Sequence, residues 1–263
     1  MKGMGGNPAR DSFFKVILGA LRRAKVPFLV GGGYAFSKYT GIFRDTKDLD
    51  LFVKPSDAEA ALDIGRDAGY RTWMKSAHWL GKIESEDHFV DIIFSSGNGG
   101  CPVDEDWFAH STAASLLGKP VGLIPAEEMI WSKSFIMERH RYDGADIAHI
   151  LRAKARRLDW DRLIDRFGAD RWPVLLSHMI LYRFIYPESA ADIPDAALAR
   201  LVDRLPDQSR KKKGKSLVCR GTLLSFLEYL PDVRDWGYQD ARHKSVGGSM
   251  TERELELWTA EPK

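Results

Sequence analysis

Cysteine is scarce in this sequence of 263 residues, which contains only Cys101 and Cys219. The two residues lie far apart and lack the spacing of metal ligands, which excludes a cysteine-based metal site and a disulfide framework. Two buried free thiols are the expected state, and a single disulfide between them is the alternative.

Long hydrophobic runs and a strong net charge are also missing. No segment approaches the roughly 20 apolar residues that span a bilayer, and residues 1–10 are Gly-rich and polar, unlike a signal peptide. The sequence therefore predicts no membrane partner and, by default, a cytoplasmic location. A formal net charge of +2 is too small to predict binding to nucleic acid.

The chain changes character near residue 124. Residues 1–124 alternate strand patterns with amphipathic helix patterns, whereas helical periodicity dominates residues 125–263. We predict an α/β domain over 1–124 and a helical domain over 125–263 that includes a basic loop near 210–215 and a polar tail. Helices are predicted over residues 125–140, 144–156, 160–167, 171–186 and 196–205. Aromatic spacing predicts core positions for Trp160, Trp172, Phe184 and Tyr186.

A glycine-rich turn follows the first predicted strand. The apolar run Phe28–Val30 is typical of a buried strand, and a helix-compatible pattern resumes at Tyr34; the turn between them consists of Gly31, Gly32 and Gly33. Glycines at such a junction let backbone N–H groups and a helix N-terminus approach phosphates closely. The turn is therefore a candidate phosphate-binding site, with a purely structural turn as the alternative.

Two aspartates are separated by one residue in the predicted strand 48–53. Side chains alternate along a strand, so Asp48 and Asp50 share one face while Leu49 and Leu51 turn toward a core. Two crowded carboxylates repel one another, which favours a raised pKa or a bound cation. Hard oxygen ligands suit Mg²⁺, which takes one or two carboxylates together with substrate phosphates. Both aspartates are candidate metal ligands, with a solvated strand face as the alternative.

A third aspartate, Asp91, lies in the otherwise apolar strand pattern 88–94. A buried carboxylate is costly unless it has a partner. If this strand lies beside the strand of Asp48 and Asp50, three acids converge as two-metal phosphoryl transfer requires. Asp91 is therefore predicted to be a third metal ligand. The alternative is a residue of an edge strand in an ion pair, for which Lys82 is the candidate partner.

These residues resemble the signature of the DNA polymerase beta-like nucleotidyltransferase superfamily. That signature is an apolar residue with two small residues, then Asp-apolar-Asp on a strand, then a third Asp on a later strand. Here its elements are Val30-Gly31-Gly32, Asp48-Leu49-Asp50 and Asp91. The stretch from Val30 to Asp50 is similar to a small bacterial branch that includes abortive-infection toxin transferases.

The resemblance implies an α/β fold, in which a nucleotidyltransferase-type mixed sheet with flanking helices precedes a helical domain that closes the cleft. It implies transfer of a nucleoside monophosphate from ATP or another nucleoside triphosphate. Two Mg²⁺ ions, or Mn²⁺ in their place, would be held by Asp48, Asp50 and Asp91. The acceptor stays open among a small molecule, a protein side chain and a tRNA 3′ end, and no oligomeric state is predicted. A catalytically silent nucleotide-binding protein of the same fold is the alternative.

Three residues near the acidic strand are further candidates for phosphate binding. The family often has Ser or Thr where Gly33 stands, and Ser37, one helical turn later, is the candidate substitute. Arg44 and Lys47 flank the acidic strand, and a guanidinium fork suits phosphate oxygens. The alternative for both basic residues is an exposed loop.

Lys133 is the last phosphate-binding candidate. It lies among apolar residues in the predicted helix 125–140, so a surface lysine with a buried stem is the alternative. Together with Asp143 and Asp146 it looks similar to a helical Lys and a downstream Arg/Asp cluster of the same bacterial branch. Acids at a helix start are also favoured by capping and by the helix dipole alone.

Overall fold

The computed structural model describes residues 7–44, 46–96, 98–210, 217–225 and 227–260. The described residues form two compact units. The first lies within residues 7–125 apart from 98–101, and the second comprises 98–101 together with the described residues from Ala126 onward. The predicted basic loop near 210–215 lies, beyond Arg210, outside the described residues.

A seven-stranded mixed sheet forms the centre of the first unit, and it confirms the predicted α/β class. The strands up to residue 123 are β1 (Leu29–Val30), β2 (Asp48–Phe52), β3 (Arg71–Ser76), β4 (Leu80–Ser85), β5 (His88–Ile93), β6 (Ser95–Ser96), β7 (Cys101–Pro102), β8 (Thr112–Leu116) and β9 (Lys119–Leu123). The spatial order in the sheet is β3-β4-β5-β2-β1-β9-β8. The β2–β5 and β1–β9 pairs are parallel, and the other neighbours are antiparallel.

Four helices within the described residues accompany the sheet: α1 (Pro8–Arg23), α2 (Gly32–Thr40), α3 (Ala58–Asp67) and α4 (Glu105–Ala109). Helix α1 begins at Pro8, because the Asn7 side chain accepts hydrogen bonds from the N–H groups of Ala9 and Arg10 and Pro8 suits the first helical position. Leu49 and Leu51 of β2 are fully buried, as their alternation with Asp48 and Asp50 predicts.

The second unit is mainly helical. Its helices are α5 (Ala126–Lys133), α6 (Gly144–Lys154), α7 (Trp160–Ile185), α8 (Asp195–Val202), α9 (Leu205–Arg210), α10 (Leu230–Arg234) and α11 (Glu252–Ala260), and its remaining strands are β10 (Met137–Glu138), β11 (Arg141–Tyr142), β12 (Val218–Cys219) and β13 (Gln239–Asp240). Helix α7 is broken at Gly168, whose φ of 64° and ψ of −159° are not helical. The break matches the two separate helices predicted over 160–167 and 171–186. Cys101 and Cys219 are both buried and free, as expected.

Two predictions for the second unit are wrong. The helix predicted over 125–140 ends at Lys133, because the chain then forms the β10–β11 hairpin and the Met137 N–H donates to the Leu224 carbonyl. Phe184 was expected in the core, but 82% of it is exposed. It lies twelve residues after the buried Trp172, which is about 120° around a helix of 3.6 residues per turn.

None of the described helices is both long enough and apolar enough to cross a membrane.

Candidate active site

The three predicted acids lie on neighbouring strands at one level of the sheet. In the parallel β2–β5 pair, Asp50 is directly opposite Asp91, and Asp48 is opposite Phe89. Residues opposite one another in a ladder point to the same face, and so do residues two apart on a strand. The carboxylates of Asp48, Asp50 and Asp91 therefore share one face of the sheet.

Helix α3 covers the other face. A Cβ at Gly81 of β4 would lie 2.9 Å from the Leu62 side chain of α3, and a Cβ at Gly65 of α3 would lie 2.8 Å from the Ile83 side chain of β4. Gly81 and Ile83 alternate with Lys82, so Lys82 points away from α3. Since Lys82 is opposite Asp91 in the β4–β5 ladder, the acids also lie on the face that α3 leaves free.

The glycine turn lies directly against Asp50. The Gly31 N–H donates to the Asp50 carbonyl at 2.9 Å, which fixes the turn to β2. Gly32 has φ of +51°, a left-handed conformation that favours glycine. A Cβ at Gly32 would overlap Oδ2 of Asp50. The missing side chain therefore makes room for the Asp50 carboxylate beside the start of α2, whose N-cap residue Gly31 provides no side-chain cap.

Asp91 forms an ion pair with Lys82. Lys82 Nζ lies 2.6 Å from Oδ1 of Asp91, and their side chains are 13% and 14% exposed. The ammonium also lies 4.8 Å from the centroid of the Phe89 ring. The interaction is the alternative that the sequence suggests for Asp91, although β5 is an inner strand of the sheet and not an edge strand.

Burial raises the pKa of Asp91 above its ordinary value, and the hydrogen bond and charge of Lys82 offset only part of this increase. The charge of Asp48 raises the Asp91 pKa further, whereas the charge of Lys75 lowers it. Asp48 therefore acts electrostatically on Asp91 across the pair of strands. A carboxyl group with a raised pKa binds a proton more readily at neutral pH than an ordinary aspartate does.

The donor set of this face fits a hard divalent cation. Asp48 and Asp50 offer carboxylate oxygens on one face, and Mg²⁺ needs only one or two carboxylates when phosphates and water complete its shell. The Asp50 carboxylate itself lies against Gly32, at the start of α2. Within the described ranges, however, no three acidic, histidine or cysteine side chains converge closely enough to hold an ion. Ligation by Asp91 in addition to the other two aspartates is thus a proposal.

The other candidates of the first unit have different surroundings. The Ser37 hydroxyl donates to the Ile42 carbonyl at 2.8 Å, so it fastens the loop after α2. The Arg44 guanidinium lies 4.3 Å from the centroid of the Phe36 ring, and Lys47 is exposed. A recess of about 50 Å³ beside the turn brings two of these candidates together with Gly33; its lining is Arg10, Gly33, Tyr34, Ser37, Lys38, Phe43, Arg44 and Thr46.

Sequence reasoning missed Arg10 and Thr46, which support the start of β2. The buried Arg10 donates to the Thr46 carbonyl at 3.2 Å, and the Thr46 hydroxyl donates to the Asp48 carbonyl at 2.9 Å. A Cβ at Gly33 would lie 2.6 Å from Cγ2 of Thr46, so Thr46 also packs against the glycine turn. The signal for Arg10 was its spacing, because it extends the buried stripe of Phe13, Phe14 and Ile17 on α1.

Lys133 lies in the second unit, where it pairs with two acids. Its ammonium is 2.5 Å from Asp143 Oδ2 and 2.8 Å from Asp146 Oδ2, and Arg141 Nε donates to Asp143 Oδ1 at 3.1 Å. Burial alone would raise the pKa of Asp143, but the Arg141 hydrogen bond and the charges of Lys133 and Arg141 lower it overall. The structure therefore brings Lys133 together with the acidic cluster that the bacterial branch suggests.

Replacing Lys133 with Met should lower the free energy of unfolding of the protein. Lys133, Asp143 and Asp146 are each no more than 16% exposed at their side chains, and removing one partner of a buried pair costs about 3 kcal/mol. Urea unfolding at neutral pH measures the loss, with Lys15→Met at an exposed position of α1 as a control. An unchanged urea midpoint for Lys133→Met would show that this lysine does not stabilise the fold.

Comparisons with known proteins agree with the fold class. The family model described as an uncharacterised nucleotidyltransferase matches residues 14–182, more than half of the chain. No curated protein matches the sequence.

Several solved structures are similar at low identity. The antibiotic-resistance factor ANT(2'')-Ia is 18% identical, with 78% of this chain and 97% of that chain covered and a TM-score of 0.40. The lincosamide antibiotic adenylyltransferase LnuA is 16% identical, with coverages of 54% and 97% and a TM-score of 0.40. An antigenic nucleotidyltransferase-like protein from Paracoccidioides brasiliensis is 13% identical, with coverages of 71% and 92% and a TM-score of 0.42. Likenesses this weak carry no argument about substrate or activity.

Proposed function

The chain belongs to the family of uncharacterised nucleotidyltransferases whose model it matches, and on that premise we propose a specific reaction. The protein transfers a nucleoside monophosphate from a nucleoside triphosphate to an acceptor and releases pyrophosphate. Asp48, Asp50 and Asp91 are the proposed ligands of divalent cations, and the turn Gly31–Gly33 receives the phosphates. The catalytic domain is proposed to span residues 1–124, with residues 125–263 as a helical domain.

One observation carries this proposal. Asp50 is opposite Asp91 in the β2–β5 ladder, on the face that also bears Asp48, and the same Asp50 carboxylate fills the space left by the missing side chain of Gly32. Acids and backbone donors are thus adjacent, as a reaction at a polyphosphate requires. If Asp48 and Asp50 formed only a solvated strand face, the residue against the Asp50 carboxylate would not need to be a glycine.

Each group has a proposed role. The N–H groups at the start of α2 hold phosphate oxygens, and Arg44 and Lys47 add positive charge near the triphosphate. Asp48 and Asp50 hold the cations, and Asp91, with its raised pKa, accepts the proton of the attacking hydroxyl. Bound Mg²⁺ would supply Lewis-acid stabilisation of the charge that develops at the transferred phosphorus.

The acceptor can be identified by the radioactive label that it receives from the nucleoside triphosphate. The full-length protein is incubated with Mg²⁺, cell extract and each α-³²P-labelled nucleoside triphosphate, and the label is then sought in RNA, protein and small molecules. Transfer to one of these fractions is expected, and it should be absent without added protein. No transfer with any of the four nucleotides would contradict the proposed reaction.

A catalytically silent nucleotide-binding protein is the second candidate, and one observation favours it. Lys82 Nζ already lies 2.6 Å from Asp91 Oδ1, and an ion pair within the chain is expected in a site that no longer binds metal. The two candidates differ in pyrophosphate release, which the enzyme produces and the silent protein does not. Thermal stabilisation by a nucleoside triphosphate with Mg²⁺, without pyrophosphate release in any extract, would favour the silent protein.

A further inference from the structure

Lys82 occupies the end of a row of charged side chains that crosses three strands. Asp50 of β2 is opposite Asp91 of β5, and Asp91 is opposite Lys82 of β4. All three side chains point to the same face, and neighbouring strands are about 4.8 Å apart. The carboxylate of Asp91 therefore lies between another carboxylate and an ammonium group.

The ion pair between Lys82 and Asp91 is close, but it can open. Lys82 Nζ lies 2.6 Å from Asp91 Oδ1 with both side chains mostly buried, and the ammonium also contacts the Phe89 ring at 4.8 Å. An ammonium is a compact point charge on a flexible stem, so it can leave the carboxylate without a change in the backbone. Its position opposite Asp91 in the ladder keeps it close to the same carboxylate after it leaves.

The pair has a direct consequence for cation binding. As long as Lys82 holds Oδ1 of Asp91, that oxygen is not available to another cation. Among the described residues no three acidic, histidine or cysteine side chains lie close enough together to hold an ion. Asp48 and Asp50 place two further carboxylates on the same face, and Mg²⁺ takes one or two carboxylates when phosphates and water complete its shell.

We propose that Lys82 is a resident cation of this site, which occupies Asp91 until a divalent cation displaces it. The inference rests on the proposed function, because it assumes that Asp48, Asp50 and Asp91 form a cation site. Lys82 is a positioning residue in this scheme. It compensates the buried charge of Asp91 in the free protein and competes with the divalent cation for the same oxygen.

The test is Mn²⁺ affinity measured on the full-length protein without nucleotide. Free Mn²⁺ is quantified by electron paramagnetic resonance during titration of the wild type, Lys82→Met, Lys82→Arg, Asp91→Asn and the double variant Lys82→Met/Asp91→Asn. Lys82→Met should bind Mn²⁺ about 10-fold more tightly, within the range by which residues that contact metal ligands alter affinity. Lys82→Arg should stay close to the wild type because it keeps the charge.

Two comparisons separate displacement from a general effect of charge. The gain from Lys82→Met should vanish when Asp91 is already Asn, since the contested oxygen is then no longer charged. Lys75→Met removes another positive charge that acts on Asp91 from an exposed position on β3, and it should change Mn²⁺ affinity less than twofold. Circular dichroism shows whether each variant is folded, and the double variant carries no uncompensated charge.

The outcomes distinguish failure of the proposed role of Lys82 from failure of the proposed cation site. A wild type that binds Mn²⁺ with an affinity that Lys82→Met leaves unchanged overturns the role of Lys82 and leaves the proposed function intact. An equal gain in Lys75→Met, or a gain that persists in the Asp91→Asn background, also overturns displacement. If no folded form binds Mn²⁺, both this inference and the cation site of the proposed function are wrong.

Discussion

Replacing Asp50 with Asn is expected to abolish nucleotide transfer. The change keeps the shape of the side chain and the backbone bond from Gly31, but it removes the charge that is proposed to hold the cations. We expect kcat/KM to fall at least about 1,000-fold, which corresponds to roughly 4 kcal/mol of lost transition-state stabilisation. The measurement is incorporation of α-³²P label into the acceptor fraction by purified wild type and variant.

The control for this variant is Asp63→Asn on α3. Asp63 is exposed and pairs with Arg66 on the surface of the same helix, so its loss should leave both activity and stability nearly unchanged. Thermal unfolding of Asp50→Asn should show a folded protein. Transfer by Asp50→Asn at the wild-type rate would remove Asp50 from the proposed cation site.

Replacing Gly32 with Ala is expected to lower transfer activity, because the new side chain would displace the Asp50 carboxylate or the glycine turn. The residue has φ of +51°, and its new Cβ would overlap Oδ2 of Asp50, so either the carboxylate or the turn must move. A displacement of about 1 Å at a reacting site can cost roughly 100-fold in rate. We therefore expect about a 100-fold loss of kcat/KM together with reduced thermal stability.

Gly41→Ala is a matched control at the other end of α2. Gly41 also has a positive φ, +75°, but a Cβ there meets no atom within 4 Å. Both variants carry the backbone penalty of about 1 kcal/mol for a left-handed residue, and only Gly32→Ala carries the overlap with Asp50. Equal losses of transfer activity in the two variants would show that the contact between Gly32 and Asp50 has no role.

The sequence predicted what depends on local pattern. The alternation of acidic and apolar residues along β2 indicated both its buried face and its carboxylate face, and Leu49 is fully buried as this alternation requires. The three glycines after Val30 indicated the junction between strand and helix, although α2 begins at Gly32, two residues before the helix pattern resumes at Tyr34. In each case the information lies within a few neighbouring residues.

What the sequence could not predict depends on which strands become neighbours. The row of Asp50, Asp91 and Lys82 requires the order β2-β5-β4 and a specific register, and a shift by one residue would turn each side chain to the other face. The support of β2 by Arg10 likewise joins residues 36 positions apart, Arg10 and Thr46. The helix predicted over 125–140 failed for a related reason, because the Met137 N–H donates to the distant Leu224 carbonyl.

The most direct test of the proposed site is a crystal structure of the protein with Mn²⁺ and a nucleoside triphosphate analogue that cannot be cleaved at the α-phosphorus. Anomalous scattering locates the metal independently of the nucleotide. We expect a manganese peak within coordination distance of carboxylate oxygens of Asp48 and Asp50, with phosphate oxygens against the N–H groups of Gly32 and Gly33. A nucleotide bound elsewhere, with no metal at these two aspartates, would contradict the proposed site.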